Sequence, residues 1–160
     1  MNKKNKKEIV VILHDIRSSY NVGSVFRTVE AAGASRIFLT GITPLPVDRF
    51  GRVQKEIAKT ALGAEKMVLW EHVLHINKVI ADLKKSDFYI VAIEQAKNAQ
   101  EYTKMKPKRK TAFIFGNETK GLMSAVLGKS DMVLEIPMRG KKESLNVSVA
   151  AGIILYHFVN

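Results

Sequence analysis

Short apolar runs separated by stretches with helical spacing constrain this chain more than any other feature. Residues 9–13, 36–40, 67–70, 88–93, 111–115 and 132–136 are each long enough for one strand and too short for a buried helix. Between the first two, Val22, Val25, Phe26, Val29 and Ala32 recur at the three-and-four spacing of one helical face, with Asn21 as the expected cap and Gly33 as the stop. Val73, Ile76, Ile80 and Leu83 mark another helix, ending in Lys84-Lys85-Ser86, and Leu145, Val149, Ile153 and Tyr156 put a stripe on a last one over residues 146–158. Residues 48–62 carry a weaker helical pattern, interrupted by Gly51. Strands alternating with helices predict an α/β fold, a mostly parallel sheet flanked by helices.

With 160 residues and 46% hydrophobic side chains, the chain suits one domain with a sizeable core. Its 26 Lys and Arg against 15 Asp and Glu give a formal charge of +11, an excess that attracts a polyanion, of which nucleic acid is the foremost. The charge is clustered: Lys3, Lys4, Lys6 and Lys7 at the start, Lys104, Lys106, Lys108, Arg109 and Lys110 around Pro107, and Arg139, Lys141 and Lys142 further on. The chain has no cysteine, which excludes disulfides and thiolate metal sites and fits a reducing cytoplasm. No apolar run approaches a membrane span, and the basic start is not followed by a secretory hydrophobic region, so a soluble cytoplasmic protein is expected.

The glycines discriminate among nucleotide sites. The sequence contains no Gly-x-Gly, which argues against a dinucleotide loop. Gly116 and Gly121 have P-loop separation, but Leu122 stands where the phosphate-binding lysine belongs. Ser144 lacks the Gly-x-Ser-x-Gly elbow of a hydrolase nucleophile. Glu71, His72 and His75 have no clear further ligand, and no metal is expected. What remains is a pair of glycine-bearing loops behind strands, Phe115-Gly116-Asn117-Glu118-Thr119-Lys120-Gly121 and Ile136-Pro137-Met138-Arg139-Gly140, able to present backbone to a ligand across strand ends.

Three blocks, Asn21-Val22-Gly23-Ser24-Val25-Phe26-Arg27, residues 115–122, and residues 136–140 with Ser144-Leu145-Asn146-Val147-Ser148, resemble in order and residue type the motifs of the SpoU/TrmH family of RNA ribose methyltransferases. The resemblance implies one such domain over residues 1–160, with residues 1–7 as a flexible basic arm and no added domain. It implies a C-terminal deep trefoil knot and S-adenosylmethionine bound in the knotted loops, leaving S-adenosylhomocysteine. Cofactor contacts would fall on Ala92, Ile93, Glu94, Gly116, Asn117, Gly121, Ile136, Met138, Ser144 and Leu145. The catalytic set would be Arg27, Asn21, Glu118, Ser144 and Asn146, with Arg27, Arg139, Lys141 and Lys142 on RNA. The family also implies a homodimer, here through the last helix and the helix starting at Asn21, and an RNA substrate, tRNA ahead of rRNA. Two rival readings stay open: a non-catalytic RNA-binding module of this fold, and a knotted enzyme that methylates a base. Asn146, at a helix start, is also a natural cap.

Overall fold

The computed structural model describes residues 6–160; Lys3 and Lys4 of the basic arm lie outside the described residues. In chain order the elements are β1 (Glu8–His14), α1 (Ser19–Ala32), β2 (Arg36–Thr40), α2 (Lys55–Ala61), α3 (Ala64–Met67), β3 (Leu69–Val73), α4 (Ile76–Lys85), β4 (Tyr89–Ile93), β5 (Gln100–Glu101), β6 (Lys110–Phe115), α5 (Ser124–Lys129), β7 (Met132–Glu135) and α6 (Val147–Val159). The seven strands form one parallel sheet in the order β3-β2-β1-β6-β4-β7-β5. Strand β6 is inserted between β1 and β4, so the chain reverses its direction of travel across the sheet there.

Period-two alternation builds the two faces. Along β1, Ile9, Val11 and Leu13 face a core made with α1, α2, α3 and α6, whereas Val10 and Ile12 face one made with α4 and α5. Strand β6 divides in the same way, with Phe113 and Phe115 on the first side and Ala112 and Ile114 on the second. Both faces are covered, which is why the central strands are continuous apolar runs.

Helix α1 is fixed at both ends. Its cap is Ser18, whose hydroxyl accepts the Asn21 N–H at 3.2 Å, and not Asn21 itself as the sequence predicts. Asn21 lies within the first turn, leaving its side chain available for tertiary bonds. Gly33 ends the helix with φ of 72°, as expected, and Gly33 N–H and Ala34 N–H satisfy the last carbonyls. Gly23 is buried where α2 crosses α1, and a Cβ there would land on the Thr60 hydroxyl and the Ile57 carbonyl.

Several expectations are corrected. The helix predicted over residues 48–62 begins only at Lys55, because Val47 and Val53 pair and the Asp48 carboxylate accepts the Phe50 and Arg52 N–H groups, closing a loop. Met67 ends α3 and Val73 ends β3, so Met67 is not in a strand and Val73 is not on the α4 stripe. Glu71 and His72 are on that strand, and among the described residues no group of three His, Cys, Asp or Glu is placed to hold a metal. Leu145 precedes α6 instead of starting its stripe. The short elements β5 and α5 were not predicted. Lys7, assigned to the flexible arm, donates to the Phe158 carbonyl at 3.2 Å. Among the described residues no helix is long and apolar enough to cross a membrane.

Candidate active site

The carboxyl ends of β4, β6 and β7 open into a cleft beside the reversal point of the sheet, where parallel α/β sheets bind ligands. Ile93, Phe115, Ile136, Met138, Leu145 and Val147 make its apolar surface, and the loops after the three strands make its rim. The cleft's volume is about 140 Å³. That lies below the several hundred Å³ of closed small-molecule sites, so a nucleoside-sized ligand would be held on one side and open on the other.

The rim is built from its own hydrogen bonds. Asn117 donates its amide to the Asp15 carbonyl at 2.8 Å and accepts the Thr119 and Lys120 N–H groups, each at 2.9 Å. Its carbonyl accepts the Gly121 N–H at 2.9 Å, closing the turn, and Gly121 takes φ of 65° over the Glu94 carboxylate, where no other side chain has room. Glu94 accepts the Leu122 N–H at 2.7 Å and the Gln95 N–H at 2.9 Å, so its carboxylate is engaged with the loops. The Gln95 side chain donates to the Ile136 carbonyl at 2.7 Å, joining two of the three loops.

A side-chain relay then connects the three sequence blocks. Glu118 accepts the Arg17 N–H at 3.0 Å, the Ser18 N–H at 3.1 Å and the Asn21 amide at 3.3 Å. The Asn146 amide donates to the Asn21 side-chain carbonyl at 3.1 Å. Asn146 in turn caps α6, accepting the Ser148 N–H at 2.8 Å and its hydroxyl at 2.6 Å. Burial pushes the Glu118 carboxyl up, but the donors from Arg17, its own backbone, Ser18 and Asn21 outweigh it and hold the group below its ordinary 4.5. An ionised carboxylate at the start of α1 also suits the helix dipole. At the end of β1, burial pushes the His14 imidazole below its ordinary 6.5 against the pull of Asp15, and His14 hydrogen-bonds Thr40 at 2.9 Å.

Ile93, Glu94, Gly116, Asn117, Gly121, Ile136, Met138, Ser144 and Leu145 line the cleft; Ala92, also predicted, is fully buried in β4 and does not. Of the predicted catalytic set, Glu118 and Ser144 line it, while Asn21 and Asn146 join it through the relay. Arg27 is exposed on α1, outside the cleft of its own chain. Arg139, Lys141 and Lys142 are exposed on the loop that carries Ser144. The basic cluster around Pro107 lies at the amino end of β6, across the sheet from the cleft, with Lys108 and Lys110 over the rings of Tyr89 and Phe88. The cleft also uses Gln95, Phe115, Thr119, Glu135, Val147 and Ala150, which are outside the predicted set of contacts. Phe115, Thr119 and Val147 belong to the motif blocks themselves and were within reach; Gln95 carries no local signal.

A sequence profile of the SpoU rRNA methylase family matches residues 8–156, every strand and nearly all of α6. The chain belongs to the SpoU rRNA methylase family. It is 32% identical over 154 residues to a Staphylococcus epidermidis protein assigned to the TrmH family of tRNA/rRNA methyltransferases, covering 96% of this chain and 59% of that one. The SpoU fold is shared with an rRNA methyltransferase of Sinorhizobium meliloti solved with AdoMet bound, at a TM-score of 0.84 and 25% identity over 95% of this chain and 56% of that one. It is shared also with the A. aeolicus TrmH/SpoU tRNA modifying enzyme, at a TM-score of 0.83 and 26% identity over 98% and 76%. The chain thus spans about 59% of the length of the curated SpoU relative described.

Proposed function

We propose that this protein transfers a methyl group from S-adenosylmethionine to a ribose 2′-hydroxyl of RNA, tRNA ahead of rRNA. The observation that carries this reading is the relay Glu118–Asn21–Asn146, which ties three blocks far apart in sequence to one cleft at the strand ends. The bound cofactor would supply an electrophilic methyl group on a sulfonium. The cleft fits the group: Ile93, Ile136 and Leu145 offer apolar surface to a heterocycle, and the open side admits a second substrate. We further infer that the chain from β7 through the Ser144 loop to α6 passes through an earlier loop as a trefoil knot, a reading supported by the insertion of β6 and the return of α6 onto α1.

A ribose hydroxyl is a poor nucleophile and has to be held in line while its proton leaves. Ser144, exposed at the rim, is placed to orient the ribose. Guanidinium groups stay protonated in proteins, so Arg27 holds a phosphate or stabilises the forming alkoxide and does not accept the proton. Because Arg27 lies outside its own cleft, that role requires a second copy. Val149 and Tyr156 on α6 and Tyr20 on α1, each about half exposed, mark an apolar face for a homodimer. Arg139, Lys141 and Lys142 contact phosphate, giving affinity without sequence preference.

The test is incubation with isotope-labelled S-adenosylmethionine and unmodified tRNA and rRNA, followed by nucleoside mass spectrometry. Label in a 2′-O-methyl nucleoside is expected. Label on a base overturns the ribose assignment, and RNA binding with no label supports the non-catalytic module.

A further inference from the structure

Two groups of cations stand at the ends of the relay. Arg139, Lys141 and Lys142 share the Ser144 loop, next to Asn146; at the other end are Arg17, between β1 and α1, and Lys120, in the loop after β6. Arg17 and Lys120 are both exposed, and among the described residues neither has an ion-pair partner. Of residues 116–121, Lys120 is the only one that does not line the cleft, so it stands on the outer side of the turn whose inner side forms the wall.

The backbone of both cations is fixed by the bonds that shape the cleft. The Arg17 N–H donates to Glu118 at 3.0 Å, and Ile16 beside it is fully buried, with its N–H on the Thr43 hydroxyl at 3.1 Å. The Lys120 N–H donates to the Asn117 side-chain carbonyl at 2.9 Å, and the Asn117 amide reaches the Asp15 carbonyl at 2.8 Å, so the two loops form one rim. The carboxylates of that rim are already occupied. Glu118 accepts from the Arg17 and Ser18 backbone and from the Asn21 amide, and Glu94 accepts the Gln95 and Leu122 N–H groups. Neither is turned onto the guanidinium or the ammonium. Two cations on a fixed base are thus left open to an anion from solution.

Ribose chemistry says which anion that is. Every internal ribose of an RNA strand carries a phosphodiester on its 5′ oxygen and another on its 3′ oxygen. A 2′-hydroxyl held at Ser144 therefore brings two phosphates to the cleft, one toward the Ser144 loop and one toward the Arg17 end of the relay. Held at one phosphate alone, the strand pivots and the hydroxyl leaves the line of attack; a second hold fixes its direction. We propose that Arg17, with Lys120 beside it, binds the second phosphodiester flanking the target ribose, Arg17 through its two-pronged donor edge and Lys120 as a point charge. The proposal rests on the RNA reading above. It adds a substrate-positioning site to the cleft's own subunit, where Arg27 requires a second copy.

A fluorescein-labelled oligouridylate is titrated across a salt series into the full chain, the double variant Arg17→Ala/Lys120→Ala, Arg17→Lys, and Lys85→Ala, an exposed cation on α4 that controls for net charge. The slope of log affinity against log salt is expected to flatten by about 0.7 in the double variant, one single-strand phosphate, and to keep its wild-type value in Arg17→Lys and Lys85→Ala. With bulk tRNA as methyl acceptor, Arg17→Ala is expected to lose about tenfold in kcat/KM while S-adenosylmethionine affinity and thermal melting stay unchanged. An unchanged slope in the double variant, or an equal flattening in Lys85→Ala, overturns the proposal. A lowered melting temperature in Arg17→Ala at wild-type slope also overturns it, in favour of a structural role. If the slope flattens as expected and no RNA is methylated, only the methyl-transfer reading fails. If transfer proceeds and the slope does not change, only this proposal fails, and no binding to RNA at all removes both.

Discussion

Glu118 is the residue through which the site is held together, because one carboxylate receives the start of α1, the Asn21 amide and, through Asn21, the cap of α6. Glu118→Gln keeps the shape but turns an amide N–H toward donors that need an acceptor, so the melting temperature is expected to fall by several degrees, about 1–3 kcal/mol for the stranded donors, with methyl transfer falling at least tenfold. The pH dependence has a definite sign. Since the folded carboxyl is held below 4.5, its stabilisation is fully present above that value and is lost as pH falls through the lower folded value. Melts of the wild type and Glu118→Gln between neutral pH and pH 3 should converge at the acid end; a constant gap would show that the ionised carboxylate is not what matters. Much of this was legible from motif order, but the assignment of Asn21 as a cap was not correct. Two cap-forming residues, Ser18 and Asn21, stand three apart, and the choice between them is made by Glu118, 97 residues from Asn21.

At the level of elements, the long apolar strands and the helices with full stripes were legible because periodicity and burial agree in them. The failures are elements too short to show a period. Strand β5 has two residues and exists through pairing with β7, and α5 has six. In α2 a loop closed by Asp48 displaced the helix start, a local side-chain bond overriding a helical pattern. The crossing of α1 and α2 shows the converse, a packing demand written in one letter. Gly23 lets the Thr60 hydroxyl reach the Tyr20 carbonyl at 2.8 Å, and any side chain there would have to push α2 away. Gly23→Ala is expected to cost about 1–3 kcal/mol by overpacking, despite alanine's better helix propensity, as read from denaturant midpoints at unchanged m-value. A neutral or stabilising result would mean that α2 yields, and that this helix does not fix α1. In the sheet, Phe113→Ala removes a fully buried ring contacting Phe158 at 5.0 Å between centroids, with an expected cost of about 3–5 kcal/mol on the same assay.

For the whole molecule, the +11 charge is informative only once the fold distributes it. The cluster around Pro107 lies at the amino ends of the strands, with two of its lysines over aromatic rings, whereas Arg139, Lys141 and Lys142 share a loop with Ser144 at the cleft. Sequence alone ranks these clusters by neighbouring motifs; the parallel sheet separates them by placing them at opposite strand ends. If RNA lies across the cleft, binding depends on counterions released by the second cluster and not by the first. Replacing Arg139, Lys141 and Lys142 together with alanine should flatten the slope of log affinity against log salt by about 2, three contacts at about 0.7 each for a single strand, uniformly across RNA sequences. The matching triple at Lys106, Lys108 and Arg109 should leave the slope within error. Filter binding of both triples across a salt series checks this, and a steeper loss in the second would move the RNA to the other end of the sheet, away from the ribose chemistry proposed for the cleft.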